Sequence, residues 1–186
     1  MVTLDALWLP ILAASVLVFV WSNLVWMVLP HHKADTRKLP DESPVMEALG
    51  KQSLAPGIYR FPWANSMKEM SEPAFVAKLE KGPVGYTVML PNGPFNMGKS
   101  MGAWVAYIVV LSVIVAYVAG RTLEPGAPYL AVFRVAGTVA FLAYGGANVP
   151  AAIWWGKPWS NVWKETFDGL CYGLLTAGAF GWLWPR

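Results

Sequence analysis

Long apolar runs divide the chain, and four of them are long enough to cross a bilayer as helices. A helix needs about 20 residues to span roughly 30 Å of hydrocarbon. The four runs cover 6–29, 101–120, 128–155 and 162–184. The first two carry no charge, the third contains Arg134, and the fourth has three charged residues in its first two turns. The pattern predicts a mostly α, polytopic membrane protein with four transmembrane helices.

The polar stretch between the first two predicted helices is long enough to fold by itself. We predict a first transmembrane helix at 1–30, a small cytoplasmic α+β insert at 31–100, and transmembrane helices 2 to 4 at 101–186. Proline near a helix start and glycine after its end mark helix boundaries in the insert. Its predicted elements are a helix at 43–50, a strand within 56–63, a helix at 71–82 capped by Ser71, and a strand within 83–94.

Composition supports the membrane class. Hydrophobic residues make up 56% of the 186 residues and charged residues only 13%, about half the charged share of a typical soluble domain. The single cysteine, Cys171, lies in an apolar run, which excludes a disulfide framework within the chain. The sequence contains no nucleophile, phosphate-binding or zinc-protease motif, and its lysines lack the aromatic interleaving of a nucleic-acid surface. We therefore predict no catalytic residues and no nucleic-acid partner.

Basic residues are concentrated between the first two predicted helices. Nine of the fourteen Lys and Arg residues lie there: Lys33, Arg37, Lys38, Lys51, Arg60, Lys68, Lys78, Lys81 and Lys99. Loops rich in Lys and Arg stay on the cytoplasmic side of the membrane. The asymmetry predicts a bacterial inner-membrane protein whose long loop is cytoplasmic and whose two termini are periplasmic.

Small residues recur at four-residue spacing on the last two predicted helices. The fourth helix carries Gly169, Gly173, Ala177 and Gly181, and the third carries Ala140 and Ala147 on a comparable face. Such ridges let two helices approach closely within a membrane. We predict helix docking by these residues, either between the two helices of this chain or against another integral membrane subunit.

Charged residues in or beside the apolar runs are further candidates for contacts. Arg134 is predicted to bind a lipid phosphate or a neighbouring helix, and Lys33, Arg37 and Lys38 are predicted to contact phospholipid headgroups. At the start of the fourth helix, Lys164 and Asp168 are four residues apart and are expected to pair locally.

The only two histidines are adjacent and follow the proline that ends the first helix. Two interpretations stay open: His31 and His32 mark the inner membrane border, or they hold a ligand. Adjacent side chains point in different directions, and no cysteine or further histidine exists to complete a metal site. We therefore predict interfacial anchoring and no metal.

Eleven tryptophans, most of them near predicted helix ends, suit the headgroup region of the bilayer. An aromatic surplus also lines sites for pigments, quinones or carotenoids. No cofactor is predicted, but a lipid or pigment contact is compatible with the sequence.

Four segments carry a family resemblance: "MVLPHHKADTRKLPDE", "LAPGIYRF", "GPVGYTVMLPNGPFNMGK" and "FDGLCYGLLTAGAFGWLWPR". Together they resemble a family of bacterial four-helix inner-membrane proteins with no established activity. The resemblance extends from the first helix to the end of the chain. It implies the membrane fold and no catalytic role.

These features favour a non-catalytic accessory subunit that stabilises a larger membrane complex. The expected complex is energy-converting, either a photosynthetic reaction-centre and light-harvesting assembly or a respiratory one. The alternative is a small transporter or channel with Asn148, Pro150 and Asp168 at an inner-side opening. A membrane enzyme would need a catalytic pair, for which His31 with Asp35 is the nearest candidate.

Overall fold

The computed structural model describes all 186 residues, of which 67% are helical. The chain divides into two compact units. The helical unit comprises Met1–Arg37 and Asn96–Arg186, and the insert unit comprises Lys38–Phe95. The predicted insert of 31–100 is thus longer than the compact unit, because the residues just after the first helix belong with the helices.

Four long helices form the helical unit. They are α1 (Trp8–Asn23), α5 (Met97–Thr122), α6 (Tyr129–Gly145) and α8 (Trp159–Trp182), and the short helix α7 (Asn148–Trp155) follows α6. A 3₁₀ turn, Asp5–Leu7, precedes α1, and a π-helical turn, Leu24–Val28, continues it. Helix α1 contacts α5 and α8, and α6 also contacts α5 and α8, so the four helices form a ring. The most extensive contact is between α6 and α8.

Three helical segments are long and apolar enough to cross a membrane: Asp5–Val28, Met97–Thr122 and Tyr129–Trp155. The mostly helical character is confirmed, but the predicted count of four spans is not. Helix α8 has sufficient length, yet Lys164, Glu165 and Asp168 in its first three turns reduce its hydropathy. A fourth span at α8 therefore stays a prediction.

The third candidate span is interrupted near one end. Helix α6 ends at Gly145, Gly146 and Ala147 form a turn, and α7 begins at Asn148. The interruption lies just before Asn148 and Pro150, two of the residues expected at an inner-side opening. Proline is tolerated in the first turn of a helix because its missing N–H has no partner there.

The insert unit contains the predicted pair of strands and one more helix than predicted. Its helices are α2 (Ser43–Lys51), α3 (Met67–Met70) and α4 (Pro73–Lys81), and strands β1 (Gly57–Phe61) and β2 (Gly85–Met89) pair antiparallel. The register pairs Gly57 with Met89 and Phe61 with Gly85.

Helix α3 was not predicted, and its presence changes the assignment of a cap. Ser66 caps α3 by accepting a hydrogen bond from the Glu69 N–H at 3.1 Å. The predicted cap of the next helix, Ser71, instead donates its hydroxyl to the Met67 carbonyl. Helix α4 begins at Pro73 with Glu72 as its flanking residue, so the prediction that Ser71 caps it is wrong.

Candidate functional site

The glycine ridge of α8 faces α6 of the same chain. A Cβ placed on Gly169 would lie 2.6 Å from the Gly145 Cα, and one on Gly173 would lie 3.2 Å from the Phe141 backbone nitrogen. A Cβ on Gly137 of α6 would in turn lie 3.0 Å from the Ala177 Cβ. The missing side chains therefore let the two backbones approach each other.

The remaining predicted docking residues occupy different environments. Gly181 lies against the Tyr129 ring, which an added Cβ would meet at 2.7 Å. Ala140 is fully buried in the core of the helical unit. Ala147 is exposed in the turn between α6 and α7, so the structure does not bring it to the face that Ala140 occupies.

The predicted lipid-contacting cations are all exposed. Arg134 lies on the outer surface of α6, and Lys33, Arg37 and Lys38 follow the first span. None of the four forms an ion pair within the chain. Their guanidinium and ammonium groups are thus free to bind phosphate, and a lipid contact stays a prediction.

A buried polar cluster lies where the first span meets the start of α8. The His32 side chain is only 6% exposed and lies between two carboxylates. Its Nδ1 lies 2.6 Å from Asp35 Oδ2, and its Nε2 lies 2.7 Å from Asp168 Oδ2. Ionised carboxylates only accept hydrogen bonds, so a ring N–H of His32 can donate to Asp35 on one side of the ring or to Asp168 on the other. The residue paired with Asp35 is His32, which differs from the predicted candidate pair of His31 with Asp35.

Local backbone geometry brings His32 into this position. The π-helical turn Leu24–Val28 ends with the Leu29 N–H donating to the Leu24 carbonyl at 3.0 Å. A 3₁₀ turn, Pro30–His32, then reverses the chain. The Trp26 ring consequently stacks on the His32 ring, with centroids 3.7 Å apart and planes 8° from parallel. Single π-helical turns are frequent at functional sites.

Lysines on α8 and before it complete the charge pairing. Lys164 Nζ donates to Asp35 Oδ1 at 2.5 Å, and Lys157 pairs with Glu165. The prediction that Lys164 pairs with Asp168 is wrong, because Asp168 faces inward to the histidines. Burial alone raises the pKa of Asp35, but hydrogen bonds from Lys164 and His32, together with their charges, outweigh it and lower the pKa.

His31 is the least satisfied member of the cluster. Its Nε2 lies 3.6 Å from Asp168 Oδ1, which is too long for a hydrogen bond. That nitrogen is nevertheless buried and has no hydrogen-bond partner. The His31 ring meets the His32 ring edge-on, with centroids 4.7 Å apart. Ligand atoms of His31, His32 and Asp168 all lie within 4.8 Å of one another.

Beside the cluster, an open cleft of about 510 Å³ lies between the four long helices. Its wall is largely aromatic and sulfur-containing. The aromatic residues are Trp26, Trp104, Tyr107, Tyr144 and Tyr172, and the methionines are Met27, Met97 and Met101. Small-molecule sites are commonly of this size, mostly apolar, and located between the helices of bundles.

Most polar groups of the cleft wall already have partners. The Trp104 indole N–H donates to the Ser22 hydroxyl at 2.9 Å, and the Asn23 amide donates to the Phe19 carbonyl at 2.8 Å. By contrast, the buried Tyr144 hydroxyl has no hydrogen-bond partner, and the Asn148 amide forms no hydrogen bond. These two groups lie on the same cleft and are available to a ligand.

The cluster was missed by sequence reasoning because its members are far apart in the chain. Asp168 lies 136 residues after His32, and we searched for a third ligand only among histidines and cysteines. One signal was available: a carboxylate within an apolar helix rarely lacks a buried partner.

Comparisons with protein-family models, with curated proteins and with solved structures find no match for this chain.

Proposed function

We propose that the protein is an accessory subunit of an energy-converting membrane complex and that its cleft binds an amphipathic ring compound of the quinone class. The observation that carries this proposal is the aromatic cleft with an unpartnered hydroxyl in its wall. The complex would be photosynthetic or respiratory, in a bacterial inner membrane. In the proposed orientation the insert is cytoplasmic and both termini are periplasmic, in agreement with the distribution of basic residues.

The chemistry of the wall favours a flat head group that accepts hydrogen bonds. Trp104 and Tyr107 stack with ring centroids 5.5 Å apart, and Tyr144 meets Tyr107 edge-on at 6.2 Å. Aromatic faces and edges of this kind favour a further ring in offset or edge-on contact. The Tyr144 hydroxyl and the Asn148 amide can donate to quinone oxygens, and the methionines can adapt to an isoprenoid tail.

Tyr144→Phe should weaken binding of a short-tailed ubiquinone analogue about 2- to 10-fold, because one hydrogen bond of about 0.5–1.5 kcal/mol is lost. The measurement is saturable quenching of tryptophan fluorescence in nanodiscs, since Trp26 and Trp104 line the cleft. Tyr129→Phe is the matched control, because Tyr129 lies at the other end of α6 with its side chain 42% exposed. The affinity of Tyr129→Phe for the ubiquinone analogue should equal that of the unmodified protein.

The same variant separates a binding role from a structural one. Without ligand, Tyr144→Phe should raise the unfolding midpoint, because it removes a buried hydroxyl that has no partner. If Tyr144→Phe is more stable than the unmodified protein but binds the analogue more weakly, the Tyr144 hydroxyl serves ligand binding and not folding. Quenching that never saturates contradicts the proposed quinone site. So does an equal affinity for the analogue in the unmodified protein and in Tyr144→Phe.

The accessory role is tested by isolation from native membranes in a mild detergent. We expect the chain to migrate with other integral membrane subunits of an electron-transferring complex in constant stoichiometry. Migration as an isolated chain of 20.4 kDa plus detergent would contradict this part of the proposal. Failure of the quinone analogue to bind would leave this result unchanged. The proposed quinone site and the proposed accessory role can therefore be rejected separately.

One observation favours a second function, transport. Of the three residues expected at an inner-side opening, Asn148 and Asp168 line the cleft and Pro150 does not. However, the main buried core of the helical unit is apolar, with Val115, Val132, Ala136 and Phe180 among its members. We expect proteoliposomes of the isolated chain to show no solute flux above that of empty vesicles.

A further inference from the structure

We propose that His31, His32 and Asp168 form a site for a divalent transition-metal ion, with Zn²⁺ as the ion used to test it. The site lies in the helical unit, at the wall of the cleft to which Asp168 contributes. This inference goes beyond the proposed function, because it depends on the cluster alone and holds for any occupant of the cleft.

The three side chains offer a suitable ligand set. Two imidazole nitrogens and one carboxylate are common ligands of Zn²⁺ and of non-haem Fe²⁺. His32 Nε2 and His31 Nε2 lie 2.7 Å and 3.6 Å from the two oxygens of the same Asp168 carboxylate. Ligands bound at about 2.0–2.2 Å in tetrahedral geometry lie roughly 3.3 Å from one another. Shifts of well under 1 Å would bring the two histidine–Asp168 pairs to coordination distance, and the two histidine nitrogens, which lie within 4.8 Å of each other, would close around the ion.

Asp35 provides the support that a metal-bound histidine requires. Histidine ligands generally donate their other ring N–H to a carboxylate or carbonyl, which fixes the tautomer and the ring orientation. His32 Nδ1 lies 2.6 Å from Asp35, and Asp35 is itself held by Lys164 at 2.5 Å. With Nδ1–H donated to Asp35, the Nε2 lone pair of a neutral ring points towards Asp168 and is free for a metal.

The metal site accounts for a feature that internal pairing leaves unexplained. His32 contacts both carboxylates, yet the His31 Nε2 remains buried without a partner. A buried unpaired polar nitrogen is costly unless something binds it. Around the cluster, the charges of Asp35 and Asp168 face only His32, His31 and Lys164. A divalent ion bound between His32 Nε2 and Asp168 would also give the buried His31 nitrogen a partner.

The test uses the full-length protein in nanodiscs, without a polyhistidine tag and after chelator treatment and dialysis. Titration with Zn²⁺ against a chromophoric competitor should show one ion per chain. His31→Gln should weaken binding at least 10-fold, and Asp168→Asn at least as much. Co²⁺ bound in place of Zn²⁺ should show visible absorption bands that disappear in His31→Gln.

Asp5→Asn is the control, because Asp5 is an exposed acid at the opposite end of α1. Its Zn²⁺ affinity should match that of the unmodified protein. The His31 side chain is 34% exposed, so His31→Gln carries the test even where Asp168→Asn does not fold. Binding well below one ion per chain, or equal affinity in the His31→Gln protein, overturns the proposal.

Discussion

His32→Leu is expected to destabilise the helical unit by about 3–5 kcal/mol, the usual cost of leaving a buried carboxylate without its partner. The substitution leaves the Asp168 carboxylate, which is only 4% exposed, without a hydrogen-bonded partner, because His31 lies 3.6 Å away. Asp35 is less affected, since Lys164 still binds it. The measurement is the midpoint of SDS-induced unfolding in mixed micelles with excess chelator, so that bound metal makes no contribution.

A double variant identifies the cause of this loss. His32→Leu combined with Asp168→Leu removes both partners and should recover much of the lost stability, because apolar replacements of a buried pair are often nearly neutral. Glu47→Gln, which breaks an exposed pair with Lys51, should change the midpoint little. If the double variant is as unstable as the sum of the two single variants, the His32–Asp168 pair does not hold the first span to α8.

Gly169→Ala should destabilise the protein by about 3 kcal/mol, at the upper end of the range for overpacking. The added Cβ would lie 2.6 Å from the Gly145 Cα and 2.7 Å from the Gly145 nitrogen. Both are backbone atoms, so no side chain can rotate away and α6 and α8 must separate. Unfolding of the purified chain in the same mixed micelles measures the effect.

The matched control for Gly169 lies on the same helix. An added Cβ on Gly178 meets no atom within 4 Å, so Gly178→Ala should be neutral or stabilising by up to about 1 kcal/mol through helix propensity. If Gly169→Ala leaves the purified chain as stable as Gly178→Ala but releases it from its complex, the ridge docks another subunit. That outcome would contradict the close approach of α6 and α8.

The sequence predicts those parts of the fold that depend on local pattern. Uninterrupted apolar runs locate the spans from Asp5 to Val28 and from Met97 to Thr122, and short runs bounded by prolines and turn residues locate β1 and β2. The helix boundaries are predicted wrongly where two nearby residues are equally suitable as helix caps. Ser66 and Ser71 are both plausible helix caps, and the hydrogen bonds of the folded chain place one at a helix start and the other at a helix end.

The candidate site could be predicted only in part, because it depends on long-range contacts. The sequence identifies His31, His32 and Asp168 as unusual polar residues beside apolar runs. Their convergence depends on a π-helical turn and a 3₁₀ turn that rotate the histidines towards α8. The assignment of Lys164 to Asp168 is wrong for the same reason, since i,i+4 spacing says nothing about a third partner such as Asp35.

The close packing of α8 against α6 has a consequence for membrane insertion during biosynthesis. With three charged residues in its first turns, α8 is more polar than the three candidate spans, so its insertion gains more from a partner helix. Helix α6 belongs to a sufficiently apolar segment, and its glycine-bearing face accepts α8 backbone to backbone. We expect α6, which is synthesised first, to remain beside the translocon until α8 emerges, so that the two helices enter the bilayer together as a hairpin. The first effect of a mutation that separates the two helices would then be a C-terminus on the wrong side of the membrane.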